Sequence, residues 1–329
     1  MPVPSPYAYA VPVIAAAVAF ALMAWMLGPH GLKLPLDQPN ERSLHETPVP
    51  RTGGLAVMVA VLAAGIALGS SWVTLGCVLF LAVVSFVDDK GGLPARVRFL
   101  AQGVAAAIWL ATALPEAPLW LLPVLFLAIV WVTNLYNFMD GMDGLAGGMA
   151  VFGFGGYAMA YWMGGFVGPA LFAASVAAVA LAFLRFNFHP ARMFMGDVGS
   201  IPLGFLAAVI GIAGWRDGVW PLWFPLAVFS PFVFDATVTL FRRAARGERV
   251  WEAHRTHYYQ RLVQLGWGHR YTALAEYLLM AGCAIVALAA HRAPVPVQIG
   301  VCAAGALAYV VIAVSVDGAW RRRQERPQS

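Results

Sequence analysis

Long apolar segments alternate with short polar turns along the whole chain, and this alternation restricts the chain to helices in a membrane. The sequence is 61% hydrophobic and 11% charged, whereas about 25% of the residues of a soluble domain are charged. Within a bilayer the backbone has to bond to itself, and a run near 20 residues does so as a helix. We therefore expect an all-α, polytopic integral membrane protein with a single domain over residues 1–329. About eleven transmembrane helices are predicted, at 7–27, 54–70, 72–87, 98–114, 118–134, 144–163, 167–186, 200–214, 219–241, 272–290 and 297–316.

Lysine and arginine are distributed unevenly between the two sets of turns. If the N-terminus is outside, the outer turns hold only Arg216 and Arg292, and every other basic residue lies inside. The positive-inside rule thus predicts an outer N-terminus, a cytoplasmic C-terminus and a sizeable cytoplasmic loop at 242–271. The same asymmetry explains the net charge of +5, and no nucleic-acid recognition motif accompanies it. The opening MPVPSPYAYA lacks the basic region of a signal peptide, so the first run is expected to remain as a spanning helix.

The predicted topology brings five aspartates to the cytoplasmic face. They occur in VDDKGGLPARVRFLAQ, NLYNFMDGMDGLAG and FNFHPARMFMGDVGS, and they are Asp88, Asp89, Asp140, Asp143 and Asp197. Carboxylates are costly at a bilayer boundary and repel one another, so such a cluster needs cations. The pattern predicts a divalent metal and a phosphate-rich substrate.

The first and third of these stretches each allow two interpretations. Asp88 and Asp89 end the third predicted helix beside several basic residues, which suits metal binding or proton transfer, but also a solvated turn of mixed charge. Asp197 lies between two glycines before an apolar helix. It is a metal ligand beside a phosphate held by the helix start, or a simple N-cap, or both.

The second stretch carries Asn134, Asn137, Asp140 and Asp143 at a spacing of three, which predicts polar groups along one side of a helix. Carboxamide and carboxylate oxygens are ligands that Mg²⁺ prefers. A helix-capping cluster is the alternative. In the last loop, His254–Arg261 combines arginine and histidine donors with two tyrosines, which suits a diphosphate attached to a sugar. A solvated charged face is the alternative there.

With these segments in place, residues 35–271 resemble the polyprenyl-phosphate N-acetylhexosamine-1-phosphate transferase family, also called glycosyltransferase family 4. The resemblance includes PNERSLHETPVPRTGG, DDKGGLPARVRFLAQ, NLYNFMDGMDGLAG, FNFHPARMFMGD and HRTHYYQRL. Related muramoyl-pentapeptide translocases carry a run of consecutive histidines where this chain has HRTHYYQRL. The chain therefore looks like the O-antigen-initiating subgroup, with the peptidoglycan enzyme as the alternative.

The resemblance implies a reaction and a set of site residues. An N-acetylhexosamine 1-phosphate, or that of a 6-deoxy relative, would pass from a UDP-sugar to undecaprenyl phosphate at the bacterial inner membrane, releasing UMP. Asp197 and Asn137 would ligate Mg²⁺, with Mn²⁺ as an alternative ion. The implied catalytic residues are Asp88, Asp89 and Asp197, and either Asp88 or Asp89 would act as the base. The implied substrate-binding residues are Asn134, Asp140, Asp143, Asn187, Arg255, His257, Arg261, His45 and Arg51.

Two questions stay open at this point. A membrane transporter is the rival from another class, although transporters place polar groups near the middle of the membrane on broken helices. The oligomeric state is also open, a homodimer being one alternative. No nucleic-acid partner is expected.

Overall fold

The structure is a computed structural model that describes residues 5–29, 36–37, 44, 48–249 and 254–325. Within these residues the strands are one short antiparallel pair, β1 (Leu36–Asp37) and β2 (Val49–Pro50). A 3₁₀ turn at Pro6–Ala10 leads into the first helix. The helices are α1 (Val11–Met26), α2 (Gly53–Ala67), α3 (Trp72–Gly91), α4 (Ala95–Ala113), α5 (Leu121–Phe138), α6 (Leu145–Met163), α7 (Val167–Asn187), α8 (Asp197–Arg216), α9 (Trp223–Val228), α10 (Ser230–Ala245), α11 (Tyr258–Leu262), α12 (Gly268–Ala290) and α13 (Val295–Gln324).

Each predicted apolar run contains helix, and the prediction of an all-α, polytopic membrane protein is confirmed. Among the described residues, seven helical segments are long and apolar enough to cross a membrane by length and composition. The run at 219–241 is divided between α9 and α10. The break falls before Pro231, which lacks an N–H and fits only the first turn of a new helix. The number of spans and the orientation of the bundle remain predictions.

Helix α8 lies at the centre of the bundle. It is buried at every position from Val198 to Ile212 and packs against α2, α3, α5 and α6. Its residues are small or apolar on all sides, which is the pattern of a helix surrounded by other helices. Its first residue, Asp197, is thereby placed on the axis of the bundle at one end.

The same end of the bundle collects the polar turns. Helices α3, α5 and α7 end there, and α4, α6 and α8 begin there. Because α8 packs against both α3 and α5, the turns that follow those two helices meet the start of α8. All three aspartate-bearing stretches therefore lie together, as the topology predicted.

The interval 242–271, predicted as a loop, contains more helix than expected. α10 continues to Ala245, α11 lies within the interval, and α12 begins at Gly268. The first N–H groups of a helix need acceptors, and those of Tyr258 and Tyr259 donate to the carboxylate of Asp235 on α10. This acceptor is more than twenty positions away, so the local sequence pattern does not reveal it.

The start of α2 is bonded directly to the segment before α8. The N–H of Gly54 donates to the carbonyl of Met195 at 2.9 Å. A Cβ atom at Gly54 would lie 2.4 Å from the backbone nitrogen of Gly199, so only glycine permits this approach. The contact holds Arg51, which precedes α2, beside the start of α8.

We expect Gly54→Ala to lower the free energy of unfolding by about 1–3 kcal/mol, because the added methyl meets backbone that cannot move aside. Thermal unfolding of the purified protein in detergent would measure this. Gly155→Ala is the matched control, since a Cβ there meets no atom within 4 Å and alanine favours helix. Equal loss of stability in both variants would contradict the prediction.

Candidate active site

A cavity of about 480 Å³ lies at the end of the bundle where the polar turns meet. Its walls come from all three aspartate-bearing stretches, from Arg51 before α2 and from the start of α11. The predicted site residues that line it are Arg51, Asp89, Asn134, Asn137, Asp140, Asp143, Asn187, Asp197 and His257. The predicted residues Asp88, Arg255 and Arg261 do not line it, and His45 lies outside the described residues.

Asp89 and Asp197 lie side by side at the start of α8. Asp89 Oδ1 is 3.1 Å from Arg51 Nη2, and its Oδ2 accepts the N–H of Val198 at 3.3 Å. The N-cap of α8 is Gly196, with a φ of +72°. Asp197 is therefore not the N-cap that one interpretation expected, and its Oδ2 has the guanidinium of Arg98 at 3.7 Å.

Asp88 is turned away from the cavity. Its Oδ1 accepts the N–H of Leu93 at 2.5 Å, and its Oδ2 is 3.2 Å from Arg98 Nη1. The side chain is buried, and both of its oxygens are occupied. Arg98 thus lies between Asp88 and Asp197, and Asp88 positions this arginine.

The series from Asn134 to Asp143 does not lie along one helix side. α5 ends at Phe138, so the two asparagines are helical and the two aspartates follow in the turn. Asn134 Nδ2 donates to Gln102 Oε1 at 2.5 Å, and Asn137 Oδ1 accepts from Ser200 Oγ at 2.6 Å. The turn carries the series into the cavity, so the residues converge although the expected helical spacing was wrong.

Among the described residues, the carboxylate of Asp140 has no hydrogen-bond or cationic partner. Burial raises the pKa of Asp140 well above its ordinary value, and the nearby carboxylates of Asp197, Asp89 and Asp37 raise it further. A buried carboxyl group that is surrounded by other carboxylates binds either a proton or a cation. Asp140, Asp197 and Asn137 together offer the oxygen donors that suit Mg²⁺, so these residues fit a divalent ion.

Asp143 belongs to a different cluster. Its Oδ2 is 2.7 Å from His189 Nδ1 and accepts the N–H of Ala191 at 3.1 Å, and its Oδ1 is 3.3 Å from His269 Nδ1. Burial acts to raise the pKa of Asp143, but these partners outweigh it and the pKa is lowered. Asp143, His189 and His269 are close enough to hold a metal. Because nitrogen groups already engage both oxygens, we interpret them as a hydrogen-bonded cluster that fixes the turn before α6.

Asn187 lines the cavity, but its side-chain amide is hydrogen-bonded to backbone groups. Its Oδ1 accepts the N–H of Gly144 at 2.9 Å, and its Nδ2 donates to the carbonyl of Met193 at 3.0 Å. The residue is buried and joins the turn before α6 to the segment before α8. Its predicted role in binding substrate remains untested.

The last loop divides into two groups. His254 and His257 line the cavity with Tyr259 and Gln260. Burial lowers the pKa of His254 to about 4, with help from His257 and Arg243, so His254 is neutral at pH 7.

Arg261 points elsewhere. Its Nη1 is 2.8 Å from Asp317 Oδ1 on α13, and its guanidinium lies over the rings of Tyr258 and Trp320. Arg255 is exposed. The substrate-binding roles predicted for these two arginines stay untested, and neither residue is part of the cavity wall.

The polar side chains at or beside the cavity that had no role in the sequence analysis include Asp37, Gln102, His189 and His269. His189 lies within FNFHPARMFMGD and His269 within the predicted loop, so a survey of polar residues in those motifs would have found both. Gln102 lies in an apolar helix, and its partner Asn134 is 32 positions away. It is nevertheless the last residue of DDKGGLPARVRFLAQ, so the same survey of polar residues would have reached it.

Comparison with known proteins gives concordant results. The family model described as glycosyl transferase family 4 matches residues 71–215. A probable undecaprenyl-phosphate N-acetylglucosaminyl 1-phosphate transferase of Bacillus subtilis is 33% identical over 74% of this chain and 74% of its own length. A decaprenyl-phosphate N-acetylglucosaminephosphotransferase of Mycobacterium tuberculosis is 30% identical over 73% and 72%. A phospho-N-acetylmuramoyl-pentapeptide-transferase of Shouchella clausii is 30% identical over 66% and 76%.

We expect Asn187→Leu to reduce the free energy of unfolding by about 1–3 kcal/mol, because it leaves a buried N–H and a buried carbonyl without partners. The thermal unfolding midpoint in detergent would measure the loss. Arg255→Ala, at an exposed position next to the cavity residue His254, is the control and should leave the midpoint unchanged. If Asn187→Leu kept wild-type stability and altered only substrate affinity, Asn187 would be a substrate ligand instead.

Proposed function

Because the chain belongs to glycosyl transferase family 4, we propose that it transfers an N-acetylhexosamine 1-phosphate from a UDP-sugar to undecaprenyl phosphate. Its long apolar helices embed it in a membrane, and its relatives are named as transferases of a sugar phosphate to a prenyl phosphate. The products would be UMP and an undecaprenyl-diphosphate-sugar. This step would prime synthesis of the O-antigen or another cell-envelope polysaccharide, at the cytoplasmic face of a bacterial inner membrane.

One observation carries the proposal. Carboxylates, carboxamides, arginines and histidines surround a single cavity at one end of an otherwise apolar bundle. Both proposed substrates are anionic at their reacting ends, so charge compensation provides most of the catalysis in such a transfer. A transporter would instead place its polar groups near the middle of the membrane, and the end position favours an enzyme.

Different residues of the cavity have different roles in the proposed transfer. Arg98 lies against Asp197 and lines the cavity, so its guanidinium is in place to bind a phosphate. Mg²⁺ or Mn²⁺ held by Asp197 and Asn137, with Asp140 beside them, would supply neutralisation of the diphosphate charge.

Asp89 is the better candidate for the base, because it lines the cavity whereas Asp88 does not. It would accept the last proton of the lipid phosphate when that phosphate arrives protonated. The need is modest, since the second pKa of a phosphate monoester is near 6.

The sugar end of the cavity is formed by the start of α11. His254 and His257 offer hydrogen bonds to phosphate and sugar oxygens, and Tyr259 adds a buried ring beside them. Tyr258 is not part of this wall, because its ring packs against Phe234. Two relatives named for N-acetylglucosamine support that sugar. The relative named for the muramoyl-pentapeptide makes the peptidoglycan reaction the second candidate.

Activity should require Mg²⁺ or Mn²⁺ and disappear in excess chelator. Asp197→Asn should lower turnover by at least about 10²-fold, because the charge that holds the ion beside the diphosphate is lost. Asp217→Asn, at the opposite end of α8, is the matched control and should retain wild-type turnover. Full turnover of the metal-free enzyme, or of folded Asp197→Asn, would refute the metal assignment.

Membranes containing the protein should convert UDP-N-acetylglucosamine or a 6-deoxy relative, together with undecaprenyl phosphate, into the prenyl-diphosphate-sugar. Mass spectrometry would identify the product from a panel of UDP-sugars, with Asp197→Asn membranes as the blank. UDP-N-acetylmuramoyl-pentapeptide should give no product. Turnover of that substrate alone would establish the peptidoglycan reaction instead.

A further inference from the structure

Asp235 is a buried carboxylate that the proposed transfer does not use. It lies on α10, where only 4% of its surface is exposed. Among its partners are the backbone N–H groups of Tyr258 at 2.9 Å and Tyr259 at 3.0 Å, and the hydroxyl of Thr239 at 3.0 Å. A buried charge with this many donors is held in one position.

The remaining partner of Asp235 is a cavity residue. His257 Nδ1 is 3.0 Å from Asp235 Oδ1. A carboxylate at one ring nitrogen places a proton there and fixes the orientation of the ring. Nε2 is then the nitrogen that His257 can present to the cavity it lines.

The ring of His257 has little freedom to move. It is stacked on Tyr259, with centroids 5.7 Å apart and an interplanar angle of 16°, and only 3% of the residue is exposed. The backbone N–H of His257 donates to Gln260 Oε1 at 3.2 Å. Asp235 therefore faces an imidazole that is already confined by its neighbours.

We propose that Asp235 is a positioning residue, which holds His257 with Nδ1–H directed at α10 and Nε2 directed at the transferred phosphosugar. The assignment rests on the proposed function for the nature of the bound group. Asp235 also joins the first N–H groups of α11 to α10, so one carboxylate sets the location of α11 and the orientation of the histidine at its start.

A second carboxylate permits a test that separates orientation of the His257 ring from anchoring of α11. Asp317 on α13 binds Arg261 of α11 and also binds Arg242 of α10. It anchors α11 as Asp235 does, but it does so through Arg261 and not through His257. Asp317→Asn should loosen α11 without changing the proton on the His257 ring.

Asp235→Asn should lower kcat about 10–100-fold, by analogy with the loss of a carboxylate behind a metal-binding histidine, with a change of less than about threefold in the KM for the UDP-sugar. Asp317→Asn and Thr239→Val should change kcat less than about threefold. Asp235→Glu should recover part of the lost kcat. A kcat for folded Asp235→Asn within about threefold of wild type, or an equal loss in Asp317→Asn, would overturn the proposal.

A spectroscopic readout keeps this test separate from that of the function. Nitrogen-15 NMR of histidine-labelled protein in lipid, with His257→Gln to assign the signal, should show Nδ1 of His257 protonated in the wild type and altered in Asp235→Asn. If no UDP-sugar is turned over by the wild type, the proposed function fails and this readout still decides the role of Asp235. A wild-type His257 protonated only at Nε2 would overturn the proposal.

Discussion

The side chains of the site are arranged around the repulsion between the carboxylates of Asp89, Asp140 and Asp197, near the start of α8. Burial raises the pKa of Asp140 well above its ordinary value, and the nearby carboxylates of Asp197 and Asp89 raise it further. Two guanidinium groups reduce this repulsion, since Arg51 pairs with Asp89 and Arg98 approaches Asp197. Asp140 is left with no cation among the described residues. The arginines therefore neutralise only part of the negative charge of these carboxylates. The part that is not neutralised faces a cavity that a ligand can enter.

Much of this could be predicted from the sequence because the determinants are local. Apolar runs fix helices, and antiparallel neighbours with short turns bring Asp89, Asp140 and Asp197 to one end. Glycine and proline mark where the helices stop. The all-α membrane fold and the convergence of the three aspartate-bearing stretches follow from these patterns alone.

What the sequence could not show depends on partners that are distant in the chain. Asp88 and Asp89 are adjacent and chemically identical, yet only the folded contacts with Leu93 and Arg98 turn Asp88 away from the cavity. In the same way, HRTHYYQRL is one run of hydrogen-bond donors in the sequence. In the structure, α11 places His257 at the cavity and Arg261 against α13. A motif gives the identity of such residues, whereas packing decides the direction each one faces.

The contact between α11 and the acidic turn links two parts of the chain that are far apart in sequence. A Cβ atom at Gly141 would lie 2.3 Å from the Tyr259 hydroxyl, so α11 rests directly on the turn that carries Asp140. The family model ends at residue 215 and thus contains the acidic residues but not α11. The part of the cavity that carries Asp89, Asp140 and Asp197 thus lies within the span of the family model, the part formed by α11 lies beyond it, and the two meet at Gly141. Under the proposed function, we therefore expect substitutions in α11 to alter which sugar is accepted while the aspartates of the acidic turns keep their positions.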